Sequence, residues 1–65
     1  MIIINGEETT LVPGLSVREY LLKAGYKAEH VVVEKNLEII PKDKYDEEIL
    51  CDGDTVEILT FMGGG

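Results

Sequence analysis

Hydrophobic positions fall along this chain in short runs whose period switches from strand-like to helix-like and back. Residues 1–4, Met-Ile-Ile-Ile, are apolar throughout, which predicts a strand buried on both faces near the middle of a sheet. Asn5-Gly6 predicts a two-residue turn with positive φ at both positions. Residues 7–12 then return as a more polar antiparallel edge strand, stopped by Pro13-Gly14. Ser16, with Glu19 three residues on, fits a capping box in which each side chain bonds the other's free amide. Val17, Tyr20, Leu21 and Ala24 share one face of the short helix that follows, and Gly25 supplies its left-handed stop.

Val31-Val32-Val33-Glu34-Lys35 predicts the next strand. Asn36 opens a turn into a shorter strand at 37–40, which Pro41 halts. Residues 42–50 mix periods and charges and read as a loop with one helical or 3₁₀ turn, anchored by Tyr45, Ile49 and Leu50. Asp52-Gly53-Asp54 is a tight turn that launches a last strand over 55–62. This order predicts an α+β fold: a mixed sheet of four to five strands with one helix packed on one face, the first and last strands side by side at its centre.

At 65 residues the core must be small, because a domain of this size buries only about 60% of its unfolded surface. One cysteine, Cys51, permits no internal disulfide and suits a reducing compartment. The chain has neither an export signal nor an apolar run long enough to cross a membrane, so the expected location is the cytoplasm. Thirteen acids against six bases, a net charge of −7, disfavour nucleic acid as a partner. Many of the acids lie between Asp43 and Glu57, a run that reads either as a solvated face or as a patch that steers a basic partner.

The last strand runs into Gly63-Gly64-Gly65, which divides the chain into a domain at 1–62 and a flexible tail at 63–65. Glycine finishes a strand poorly, so stability does not account for the run. It does give a thin arm, roughly 10 Å long when extended, with a carboxylate at its end. Such an arm fits a narrow active site in another protein. Alternation along 55–62 places Val56 and Ile58 toward the helix and Glu57, Leu59 and Phe61 on the other side. Leu59, Phe61 and Met62 are therefore the candidate docking residues beside the tail.

The order of elements, with Asn5-Gly6, the helix start Ser16-Val17-Arg18-Glu19-Tyr20-Leu21, Ile39-Ile40-Pro41-Lys42, Leu50-Cys51-Asp52-Gly53-Asp54 and the final Gly64-Gly65, resembles the ubiquitin-like β-grasp fold. Within that fold it resembles the ThiS/MoaD sulfur carriers, and the ThiS branch more than the MoaD branch. The resemblance spans the chain. It implies that an E1-like adenylyltransferase of the ThiF type uses ATP and magnesium to adenylylate Gly65, while the carrier itself binds no cofactor. A cysteine persulfide then supplies sulfur to form a Gly65 thiocarboxylate, which a ThiG-type thiazole synthase consumes in thiamin biosynthesis. It further implies a protein that is acted upon, not an enzyme, and that is monomeric when free. A MoaD-like carrier for molybdopterin, a ubiquitin-like binding module and a protein modifier are the alternatives.

The remaining reactive residue types are read as structural. Nothing basic adjoins Cys51, which is taken as a small filler. His30 has no second ligand at metal spacing and is placed at the surface or a strand entry. Counting back from Gly53 puts Leu50 where a calcium loop needs an oxygen ligand, so no metal site is expected. Tyr20, Tyr26 and Tyr45 are taken as core anchors.

Overall fold

The computed structural model describes residues 1–61. They form five strands, β1 (Ile2–Ile4), β2 (Glu7–Thr9), β3 (Val31–Lys35), β4 (Glu38–Ile39) and β5 (Thr55–Thr60), and one helix, α1 (Val17–Ala24). The sheet has the order β2-β1-β5-β3-β4. β5 is central, parallel to β1 and antiparallel to β3. This is the expected mixed sheet with one helix, and β1 and β5 are neighbours as predicted.

The core lies between α1 and one face of the sheet. Ile2 and Ile4 from β1, Val31 and Val33 from β3, and Val56 and Ile58 from β5 meet Val17 and Leu21 of the helix. Ile40, Tyr45 and Leu50 close it from the segment between β4 and β5, with Tyr20 and Tyr26 packed at its margin. The helix caps form as the spacing requires. Ser16 Oγ accepts from the Glu19 N–H, Glu19 returns the bond to the Ser16 N–H, and Gly25 is left-handed at φ 86°. The Val17 and Arg18 N–H groups, which also lack helical partners, donate to the carbonyls of Glu48 and Tyr45. The irregular loop is thereby tied to the helix start.

Several boundaries differ from the sequence reading, each for a physical reason. Ile3 is exposed, because among the described residues only one face of the sheet carries a covering layer. β2 ends at Thr9, opposite Ile2, where β1 runs out of residues to pair with. Ala24 is exposed, and the core beyond Leu21 is completed by Tyr26 and Ala28 instead. Ile49 is exposed, while its neighbour Leu50 turns inward. The 37–40 strand shrinks to two residues because Leu37 joins Asn36 in the turn, with φ 72° and 52°. A 3₁₀ turn at Ala28–His30 precedes β3, and the expected one appears at Lys42–Lys44. β5 stops at Thr60, and Met62 through Gly65 lie outside the described residues.

Both hairpin turns place an asparagine at φ 52°, and each side chain then reaches β5. Asn5 Oδ1 accepts from the Ile58 N–H at 2.7 Å, and Asn36 Oδ1 accepts from the Thr55 N–H at 2.9 Å. Asn5→Gly keeps the backbone conformation but removes the amide, leaving a part-buried N–H without its acceptor. We expect it to cost about 1–2 kcal/mol, read as a fall in Tm of about 4–8 °C per kcal/mol by thermal unfolding.

Candidate functional site

The site suggested by the sequence is the end of β5 and what surrounds it. Leu59 and Phe61 are 55% and 46% exposed, while Val56 and Ile58 are buried beneath the helix, as alternation requires. Met62, Gly63, Gly64 and Gly65 lie outside the described residues. Phe61 follows the last strand residue, and its N–H still donates to the His30 carbonyl at 3.1 Å. His30 is exposed at the entry to β3, where the sequence reading put it.

Lys42 is a residue that sequence reasoning passed over. Its Nζ donates to the carbonyls of Ala28 and Val31 at 2.8 and 2.6 Å. It also stands 5.7 Å from the centre of the Tyr45 ring and 5.9 Å from that of Phe61. One ammonium thus joins the 42–50 loop, the entry of β3 and the ring at the root of the tail by hydrogen bonds and cation–π attraction. No local pattern signalled this, because the carbonyls and the Phe61 ring it reaches lie in segments distant in sequence.

At the opposite end of β5 a polar cluster fixes where the strand begins. Lys35 Nζ lies 2.6 Å from Glu48 and 3.7 Å from Asp54, and donates to the Ile49 carbonyl at 3.2 Å. The Asp54 carboxylate accepts from the Cys51 N–H at 2.8 Å and from the Asn36 amide at 2.9 Å. Burial pushes the Asp54 carboxyl up, but these two hydrogen bonds and the Lys35 charge outweigh it and hold it below its ordinary 3.8. The hydrogen bond to Glu48 holds Lys35 above its ordinary 10.5, against the opposing effect of burial. The turn keeps Cys51 exposed, so it is not the core filler its size suggested. Arg18 pairs with Asp46 at 2.5 Å and Lys44 with Glu47 at 3.7 Å, so much of the acidic run is neutralised within the fold.

Among the described residues no cluster of three or more histidine, cysteine or carboxylate side chains could hold a metal ion. No helix among them is long and apolar enough to cross a membrane. What the arrangement offers is a rigid strand leading to a glycine segment, with exposed apolar side chains at the exit.

The model of the ThiS family matches residues 2–65, nearly the whole chain and the glycines with it. The chain belongs to the ThiS family. Over 67 aligned residues this ThiS-family chain is 42% identical to the sulfur carrier protein ThiS of Bacillus subtilis, with 100% of both chains covered. It is also 42% identical over 64 residues to a thiazole synthase of Paramagnetospirillum magneticum. That alignment takes in 98% of this chain but spans only 20% of the longer protein. The crystal structure of the thiamine biosynthesis protein ThiS from Geobacter metallireducens superposes with a TM-score of 0.83 at 39% identity, over 98% of this chain and 97% of that one. The ThiS fold is therefore the β-grasp arrangement expected from the sequence.

The polar cluster gives this ThiS-family fold a defined pH response. A carboxylate with a depressed pKa in the folded state contributes stability above its unfolded value, lost as pH falls through the folded one. Asp54 should accordingly stabilise the fold fully above about pH 3.8 and lose that contribution below it. Asp54→Asn should be less stable than the parent at neutral pH. Chemical denaturation across a pH series should show the difference closing as both proteins are taken below that value.

Proposed function

We propose that this chain is a sulfur carrier of the ThiS type, whose working group is the carboxylate of Gly65. The observation that carries the proposal is the full-length 42% identity to the Bacillus subtilis sulfur carrier. The geometry is consistent with it. β5 is paired with β1 at Thr55 and Val56 and with β3 from Val56 through Thr60, so the strand is held to its last residue and a tail attached there starts from a fixed origin.

A carboxylate must be activated before sulfur can replace its oxygen. In the reaction we propose, a ThiF-type E1-like adenylyltransferase binds the tail with Mg-ATP. A Gly65 carboxylate oxygen attacks the α-phosphorus, and the bond to pyrophosphate breaks, giving an acyl adenylate. The terminal sulfur of a cysteine persulfide attacks the acyl carbon and AMP leaves. A second thiol then cleaves the resulting sulfur–sulfur bond, releasing a Gly65 thiocarboxylate and a disulfide. Catalytic groups, nucleotide and magnesium belong to the partner enzyme. The carrier contributes a tail without side chains, able to approach a nucleotide closely. The acceptor we assign is a ThiG-type thiazole synthase, which is supported by the likeness of this chain to a stretch of the Paramagnetospirillum thiazole synthase. Leu59, Phe61 and Met62 serve as the apolar contact that seats the partner beside the tail.

The test is intact mass after incubation with ATP, magnesium, a ThiF-type adenylyltransferase and a persulfide source, with fragmentation to separate sulfur exchange from methionine oxidation. We expect one oxygen of Gly65 to be exchanged for sulfur. An unchanged terminus, with the enzyme active on another carrier, would sink the proposal. Gly64→Val should fold normally yet slow loading by about 100-fold or more. Phe61→Ala should shift stability by no more than about 1 kcal/mol while raising the carrier concentration needed for half-maximal loading. A normal loading curve for that variant would remove Phe61 from the docking surface.

A further inference from the structure

Three features that a free-standing domain gains nothing by keeping meet on the sheet face turned away from the helix. Glu34 of β3 and Glu57 of β5 are direct cross-strand partners, and like charges placed so destabilise a sheet. Among the described residues neither belongs to an ion pair. Leu37, in the adjoining turn, holds a left-handed φ of 72° that suits glycine or asparagine far better, and it is 91% exposed. Leu59, opposite Val32, continues the same face toward the tail. Glu34, Asn36, Leu37, Thr55 and Glu57 line a cleft of about 420 Å³.

We infer that this cleft receives an arginine or lysine side chain of the activating enzyme, its alkyl stem against Leu37 and its charged head between Glu34 and Glu57. The inference rests on the sulfur-carrier reading, which supplies the partner. Long basic side chains pack an apolar stem while keeping the charge among polar groups, and this cleft offers both surfaces. Charge favours the same occupant: the chain carries a net −7, and the facing carboxylates of Glu34 and Glu57 add a local excess of negative charge that a cation complements. Reach favours it as well. Glu57 lies four residues before Phe61, roughly 13 Å along an extended strand. A partner that engulfs the tail and buries about 800 Å² of each protein covers that distance. The facing glutamates would then act as a specificity device, unfavourable in the free carrier and relieved only by a partner with a cation at that point.

Two substitutions separate this from a merely solvated face. Glu57→Lys creates an opposite-charge pair with Glu34, and Leu37→Gly relieves the turn, so both should raise the Tm of the free protein. Calorimetric titration against a ThiF-type adenylyltransferase should show Glu57→Lys binding about tenfold or more weaker, with a flatter salt dependence. Leu37→Gly should bind a few-fold weaker, on the order expected for losing one apolar contact. Variants that are more stable yet bind like the parent, with the same salt dependence, would overturn the inference and leave the carrier function standing. Failure of the parent itself to bind an enzyme that activates another carrier would overturn the carrier reading and this inference together.

Discussion

The structure depends on β5 being shared. Among the described residues it is the only strand that links the two hairpins, pairing with β1 on one side and β3 on the other, and without it the sheet would separate into β1–β2 and β3–β4. A strand of six residues in so small a protein has few ladder bonds to spare. The fold supplements them with the side chains of Asn5 and Asn36, which hold its backbone from opposite edges. The same two asparagines tolerate the left-handed backbone of their turns. One residue type thus serves as both turn former and brace, tying the register of each hairpin to the strand that carries the tail.

Core packing and the surface proposed for recognition are divided between the two faces of that strand. Val56 and Ile58 point into the core, whereas Glu57 and Leu59 point away from it. The charges are divided in the same way. Asp46, Glu48 and Asp54 are held by Arg18, Lys35 and Asn36 and contribute to the fold, while Glu34 and Glu57 face each other without such partners. Net charge alone does not reveal this difference, because an acid neutralised inside its own domain has little left for steering a partner.

Much of the architecture was legible in the residues because local signals agreed with the global fold. The Ser16–Glu19 box, the Gly25 stop and the Asn5-Gly6 turn each have a local physical cause, and all three appear in the structure. Less legible was whatever depends on contacts distant in sequence. Three consecutive isoleucines look buried on both faces, but the missing second layer that exposes Ile3 is a property of the whole molecule. The joining of Lys42 to Ala28, Val31 and Phe61 bridges segments that no local pattern connects. Leu37 was read as a strand residue for its hydrophobicity, although its place in the turn follows from Asn36 and from the register of β3 with β4. The glycine tail carries its signal in composition alone, and the role proposed for it rests on chemistry supplied by other proteins.

In the proposed sulfur-carrier mechanism the reactive group lies on the protein's own tail, which sets an unusual constraint. The group has to enter a site it does not own, so the carrier can add to the reaction only by fixing where the tail starts and which protein receives it. Fixing the start calls for rigidity up to the last strand residue, which the pairing of β5 with β3 as far as Thr60, the Phe61–His30 hydrogen bond and the Lys42 bridge supply. Choosing the recipient calls for features that the folded domain does not itself consume. A left-handed leucine and two facing glutamates are poor choices for stability, and in the proposed role that is what leaves them free to discriminate between partners.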